Sequence, residues 1–443
     1  MEIYDSVTKI QERMMGHVKY KAQGRQRGHR NRMTFLGSYG STYAYSAMWH
    51  TGYSPAITPG VLNPTNLWPK KLKPEALHDG ITSRIWGVAH EHAHSTQTAL
   101  FTWRGMTEVS NNVMCLLTQN FMYGVGKGYT TMRWSKSFDT AMRDFGSRWV
   151  EEFDKDGNWY ERPFTHMESV NSPCCGSTEG AVDPCTQIFP FYQLFLYFHI
   201  IEGNSDFYPD FYELCRTKDI YEKNYPDYNA YQSAIALEFM KTISEASGFD
   251  MSEWANAWGL PGVNYGLGKG TRVNHYGQAY FTTTAEQIAE NEKYNSQFPK
   301  PRLNPFYIHD LNLDLYRNPQ PVTAGTHTAD DKGKFSMQGW QNVVAWVLVD
   351  PDKKNEKGEL GRDVAVLMCN DINGGGTFTY NYRASRYLPK ADNDFSDYRY
   401  NKEGTGTNRL MADIPVDFEY IKSLQLYAVD AYGNRYASQS NTK

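Results

Sequence analysis

The 443-residue sequence has no run of about 18 apolar residues, so nothing in it reads as a membrane-crossing helix. Charge of one dominant sign is also missing. Lys and Arg number 45 against 49 Asp and Glu, and a net charge of -4 leaves no basic stripe to neutralise phosphates. That argues against a nucleic-acid partner. The one locally basic stretch, 19–32, reads as a solvated loop. There is no internal repeat and no low-complexity tract, and Met1-Glu2-Ile3-Tyr4-Asp5 carries no signal-peptide pattern. Gly124-Val125-Gly126-Lys127-Gly128 follows a helical pattern and not a strand, which rules out a phosphate loop. The acidic stretch 392–397 lacks EF-hand spacing and reads as solvated. Cysteine is scarce, with six residues. Cys174, Cys175 and Cys185 share a Pro- and Gly-rich segment, where a disulfide between one of the pair and Cys185 is feasible. No further Cys or His stands there at metal-ligand spacing. Cys115, Cys215 and Cys369 lie in apolar periodic segments and read as buried, inert thiols.

What the chain does contain is aromatic side chains, 15% of the total, as suited to stacking on sugar faces as to ordinary cores. Its most informative stretch is His90-Glu91-His92-Ala93-His94, followed downstream by Glu108. On a helix, positions i and i+4 share a face, so His90 and His94 can direct two imidazoles at one metal ion. Glu91 follows the first ligand directly and is placed to act as general base at the open coordination position. Glu108 is the candidate third ligand, delivered by a second helix. Three protein ligands plus water make a catalytic zinc site, whereas a structural site would close the fourth position with protein. A strand would instead put His90, His92 and His94 on one face. The flanks favour the helix: Asp79-Gly80 marks a turn, Thr82 or Ser83 can cap, and Ile85, Ala89 and Ala93 recur as an apolar stripe. His92 then falls about 200° around the helix from His90, outside the ligand set, as a supporting or surface histidine.

In the second helix Thr107 is the expected N-cap, and Glu108 suits the first turn, where a carboxylate meets the positive end of the dipole. Val109, Val113, Leu116 and Leu117 form the core stripe; Glu108, Asn111, Asn112 and Cys115 share another face. Asn111 and Asn112 either line the cleft and contact substrate or bond neighbouring backbone. Trp86, one turn before His90, is either a wall of the active site or a core aromatic. Gln193, alone among apolar neighbours, either orients a loop or a ligand or is a core amide satisfied by backbone.

The combination Trp86-Gly87-Val88-Ala89-His90-Glu91-His92-Ala93-His94 and Met106-Thr107-Glu108-Val109-Ser110-Asn111-Asn112 resembles the enhancin-like zinc metallopeptidases, whose bacterial members include mucin-degrading O-glycopeptidases. Upstream, Asn31-Arg32-Met33 and Ala47-Met48-Trp49-His50-Thr51-Gly52-Tyr53 are similar to the segment before the family's active helix. Downstream, the apolar helix around Gln193, then Ser244-Glu245-Ala246-Ser247-Gly248-Phe249-Asp250 and Ala257-Trp258-Gly259-Leu260-Pro261, extend the likeness to roughly residue 265. The resemblance implies a gluzincin with one catalytic zinc ion: His90, His94 and Glu108 as ligands, Glu91 as general base. It also implies a substrate carrying mucin-type O-glycans, cut beside a glycosylated Ser or Thr. Ala93 stands where the family often has Gly; it is small and a better helix former, so the helix should persist. An oxyanion-stabilising residue cannot be singled out among 32 Tyr. In a family of secreted proteases, the missing signal pattern implies a fragment of an extracellular or cell-surface bacterial protein.

The expected architecture is α+β: a mainly helical zincin-type catalytic domain over 1–300, followed by a β-sandwich over 301–443. Helical patterns run over 84–100, 107–122, 136–153, 187–202, 207–215, 229–247 and 252–257. After Pro299-Lys300-Pro301, strands are expected at 343–349, 364–368 and 424–429, with hairpin connections at 350–358 and 432–434. The expected function is a monomeric zinc endopeptidase acting on O-glycosylated mucin-like proteins. The alternatives are a general metalloprotease with no glycan requirement and a catalytically silent glycoprotein-binding module. The intact Glu91 favours an enzyme, because a binding module needs no base beside three ligands.

Overall fold

Amphipathic patterning makes helices the main regular structure among the described residues before position 300. The computed structural model describes residues 2–21, 34–37, 44–47, 50–53, 81–103, 106–125, 149–153, 159–163, 188–218, 220–258, 260, 283–310, 312–329, 334–355, 359–368, 376–379 and 422–438. Among these, the helices are α1 (Glu2–Met14), α2 (His17–Lys21), α3 (Ile81–His94), α4 (Thr107–Tyr123), α5 (Phe189–Leu194), α6 (Phe207–Thr217), α7 (Tyr228–Ser247), α8 (Ser252–Ala257), α9 (Ala285–Asn295) and α10 (Leu313–Arg317). Helix α5 continues as a π-helical segment, Phe195–Ile201. Local chemistry sets several ends. Asp227 accepts from Ala230 N at 2.8 Å to start α7, and Gly248, at φ 73°, ends it by donating to Ser244 O. Thr284 and Gln287 form a reciprocal capping box at α9. No helix among the described residues is long and apolar enough to cross a membrane.

Helices α3 and α4 lie side by side with α1 packed against both. Ala89 and Ala93 on α3, and Val109, Val113, Leu116 and Leu117 on α4, are fully buried. The small alanines let the two backbones approach. The return from α3 to α4 is pinned by an aromatic cluster. Phe101 meets Phe191 edge-on at 4.9 Å and Phe239 at 5.1 Å, while Trp103 meets Phe239 at 4.7 Å. Each such buried side chain contributes about 1.5–3 kcal/mol relative to exposure.

Three sequence expectations are corrected here. Helix α3 already begins at Ile81, so Thr82 and Ser83 lie inside its first turn; Thr107 is likewise the first residue of α4, and Met106, without a side-chain cap, precedes it. The helical pattern over 136–153 ends in a strand, β4 (Trp149–Phe153), paired antiparallel with β5 (Trp159–Pro163). Its Trp, Val and Phe residues and the Asp156-Gly157 turn signal outweigh the helical spacing. Upstream, a small sheet of β1 (Thr34–Gly37), β2 (Ala44–Ala47) and β3 (His50–Tyr53) has β3 in the centre, parallel to β1 and antiparallel to β2. Strand β2 lies against α3.

The C-terminal strand region holds two sheets. One has the order β10-β7-β6 and the other β12-β11-β8-β9, with β6 (Thr326–Ala329), β7 (Lys334–Gln338), β8 (Ala345–Lys354), β9 (Leu360–Met368), β10 (Gly376–Thr379), β11 (Gln425–Val429) and β12 (Arg435–Ala437). Alternation sorts the side chains of β8 and β11 onto two faces. Trp346, Leu348, Leu426 and Ala428 join Phe335 and Met337 of β7 in one core. Ala345, Val347, Val349 and Val429 point the other way, into the core of the helical region with Leu303, Phe306, Tyr307 and Ile308. The turn at 432–434 forms as expected: Asp430 accepts from Tyr432 N and Asn434 N, both at 2.9 Å. At 350–354 the chain is not a connection but the end of β8, with register shifts against β9.

Candidate metal centre

One helical turn separates His90 from His94, and their rings meet at 4.8 Å between centroids with planes at 89°. Glu91, between them in sequence, is buried. A nitrogen from each imidazole and a Glu91 carboxylate oxygen all lie within 4.8 Å of one another, and this is the one such group of metal-binding side chains among the described residues.

Carboxamides decide which nitrogens face the centre. Asn112 Oδ1 lies 2.7 Å from His90 Nδ1, and Gln97 Oε1 lies 3.0 Å from His94 Nδ1. An amide oxygen can only accept, so each Nδ1 carries the proton and each Nε2 keeps its lone pair. The Asn111 amide nitrogen sits between the two rings, 2.8 Å from His94 Nε2 and 3.1 and 3.2 Å from His90 Nε2 and Nδ1. Asn111 is held in turn by its Oδ1, which accepts from Asn112 N at 2.7 Å. The donor set fits a zinc ion: two imidazoles and a carboxylate grouped within reach of one point, each imidazole backed by a hydrogen-bond acceptor at Nδ1.

The other sequence candidates separate. Glu108 is the second residue of α4, so the backbone sets it on the helix face that also carries Asn111 and Asn112. The side chains of Glu108 and Trp86 lie outside the described residues. Asn111 and Asn112 are fully buried, with side-chain atoms within hydrogen-bond distance of the imidazoles. Gln193 lies on α5. It is fully buried, donates to Phe306 O at 2.5 Å and Ile308 O at 3.2 Å, and accepts from Trp258 Nε1 at 2.7 Å and Trp254 Nε1 at 3.3 Å. Those bonds clamp the segment before α10 to the core. His92 leaves the ligand set as expected, but into the interior and not the surface. It is buried against α1, with Nδ1 at 2.7 Å from Gln11 Oε1 and Nε2 at 3.3 Å from Thr8 Oγ1. Cys115 and Cys215 are buried free thiols, whereas Cys174, Cys175, Cys185, Cys369 and the acidic stretch 392–397 lie outside the described residues.

Two functional neighbours escaped the sequence reading. Gln11 donates to Ala89 O at 2.9 Å, directly before the first ligand, and ties α1 to α3. Gln97 follows a polar run in which Ser95 and Thr96 satisfy the last carbonyls of α3, at His92 O and Ala93 O. Its position three residues after His94 was the available signal.

Comparisons with known proteins agree with this geometry. No curated protein sequence matches the chain. Its fold is similar to that of a metallopeptidase from Bacteroides thetaiotaomicron, with a TM-score of 0.60, 20% identity and coverage of 99% of this chain and 60% of that one. A metallopeptidase in complex with Tn antigen gives the same TM-score of 0.60 and 20% identity, covering 99% of this chain and 66% of that one. The likeness is one of fold, and the chain spans less than two thirds of the length of either structure. Residues 1–259 match the family described as Peptidase M60, enhancin and enhancin-like, and the chain belongs to that family.

Proposed function

We propose that this chain carries a zinc-dependent endopeptidase acting on O-glycosylated, mucin-like proteins. The grouping of a nitrogen from each of His90 and His94 with the buried Glu91 carboxylate, all within 4.8 Å of one another, carries the reading. His90 and His94 would hold the ion, with Glu108 completing the set from the first turn of α4. When bound, zinc supplies a Lewis acid and lowers the pKa of water. Glu91 takes a proton at its carboxylate from the attacking water and returns it to the leaving amine. Asn112 and Gln97 keep the two imidazoles in the tautomer that leaves Nε2 unprotonated.

The glycan part rests on family membership and on the related fold solved with Tn antigen. We propose an extracellular site of action as well, because mucin-type glycoproteins lie outside the cell. The test is incubation with a mucin-type glycoprotein before and after removal of its O-glycans. Loss of cutting on deglycosylation supports the reading, and unchanged cutting leaves a general metalloprotease. No cutting of either substrate by the zinc-loaded chain overturns the assignment as a peptidase.

A further inference from the structure

The polar turn after α3 contains a side chain whose hydrogen bonds join the two halves of the metal site. Gln97 reaches back with Oε1 to His94 Nδ1 at 3.0 Å. It reaches forward with Nε2 to Thr107 O at 2.5 Å and Ser110 Oγ at 2.7 Å. Thr107 and Ser110 bracket Glu108 in the first turn of α4. One planar amide therefore contacts a histidine at the end of the ligand helix and the turn that carries the acidic residue. Its two ends are not interchangeable. The oxygen must face the imidazole N–H, and the nitrogen must face an acceptor carbonyl, because rotating the amide would set N–H against N–H and O against O.

We infer that Gln97 is a positioning residue for the metal site: it fixes the tautomer and orientation of His94 and sets the distance between α3 and the first turn of α4. The inference rests on the metal reading of His90 and His94 proposed above. Other anchors already hold this segment in the fold. Phe101 and Trp103 are buried in the aromatic cluster, and Ser95 and Thr96 close the helix end. Gln97 itself is only partly buried, so its amide is not needed to fill a core. Its hydrogen bonds instead act on the His94 imidazole. An imidazole that can rotate or exchange tautomers presents a protonated nitrogen to the ion for part of the time, which weakens metal binding.

The experiment measures zinc affinity of the full chain by competition with a chelator, and thermal melting of the metal-free form as a control. Gln97→Ala and Gln97→Met should each bind zinc about 10- to 100-fold more weakly, with little change in metal-free melting. Gln97→Glu keeps an acceptor for His94 Nδ1 and should recover most of the lost affinity. Zinc affinity equal to the parent in the Ala and Met variants overturns the inference. So does a Glu variant as weak as the Ala variant, or a lowered metal-free melting temperature with unchanged zinc affinity. A parent chain that holds no zinc sinks the metal reading, and this inference with it; a normal parent beside unaffected variants sinks this inference alone.

Discussion

Asn112 on α4 places its side-chain oxygen 2.7 Å from Nδ1 of His90 on α3, so one helix sets the tautomer of a histidine on the other. Asn112→Leu keeps the volume of this buried site but removes the acceptor. The variant should lose zinc about tenfold more readily, as read by dialysis against graded chelator. Parent-like retention would count against a supporting role for Asn112.

Glu91→Gln preserves shape and removes the base. Metal content by elemental analysis should match the parent, while peptide hydrolysis falls by about 10²- to 10⁴-fold. Substantial remaining turnover would show that another group accepts the proton.

Glu108→Ala tests the third ligand from the metal side. Two imidazoles alone should hold zinc poorly, so the purified variant is expected to carry well under one equivalent. A stoichiometric metal content would remove Glu108 from the site.

Gln193→Leu leaves the indole N–H groups of Trp254 and Trp258 and the carbonyls of Phe306 and Ile308 without their amide partner. Each of these four lost bonds costs about 1–3 kcal/mol, so a total loss of about 4 kcal/mol or more is expected in urea unfolding. Zinc affinity should not change, which separates a core clamp from a substrate contact.

How much was legible beforehand depended on the range of the interaction. His90 and His94, one turn apart, and the stripe of Ala89 and Ala93 follow from helical periodicity alone, and α3 and α4 were readable for that reason. The partners of the imidazoles were not. Gln97 reaches His94 only because the chain turns after α3, and the direction of Asn111 and Asn112 depends on how closely two helices approach. The end of β8 was misread because Asp350, Pro351 and Asp352 are turn-forming residues. Pro351 has no N–H to donate, and the ladder accommodates it with a shift of register against β9 while the strand continues. Asp350 accepts from Asp352 N at 3.0 Å within that irregularity.

His199 in the π-helical segment gives a pH signature independent of the metal. Burial, reinforced by the nearby Arg13 charge, holds its imidazole below the ordinary value of 6.5. Between the folded value and 6.5 the unfolded chain binds more protons than the folded one. Stability is therefore full above 6.5 and declines as the pH falls through that window. His199→Phe suits the stack on Phe195 at 5.0 Å and the edge of Phe121 at 5.2 Å, and should flatten this decline in denaturant titrations across pH. An unchanged acid limb would place the titration elsewhere.

The sheet containing β8 and β11 is a party wall. Val347 and Val429 face the helices, while Trp346 and Leu426 face the opposite sheet, so neither neighbour owns it. Severing the chain near residue 300 would strip Leu303, Phe306 and Val347 from the helical side together. The same cut would remove the two carbonyls that Gln193 grips and leave the indoles of Trp254 and Trp258 beside an open seam. The helical half thus borrows its back wall from strands far along the chain, and a fragment ending where the helices end would be an unfinished building.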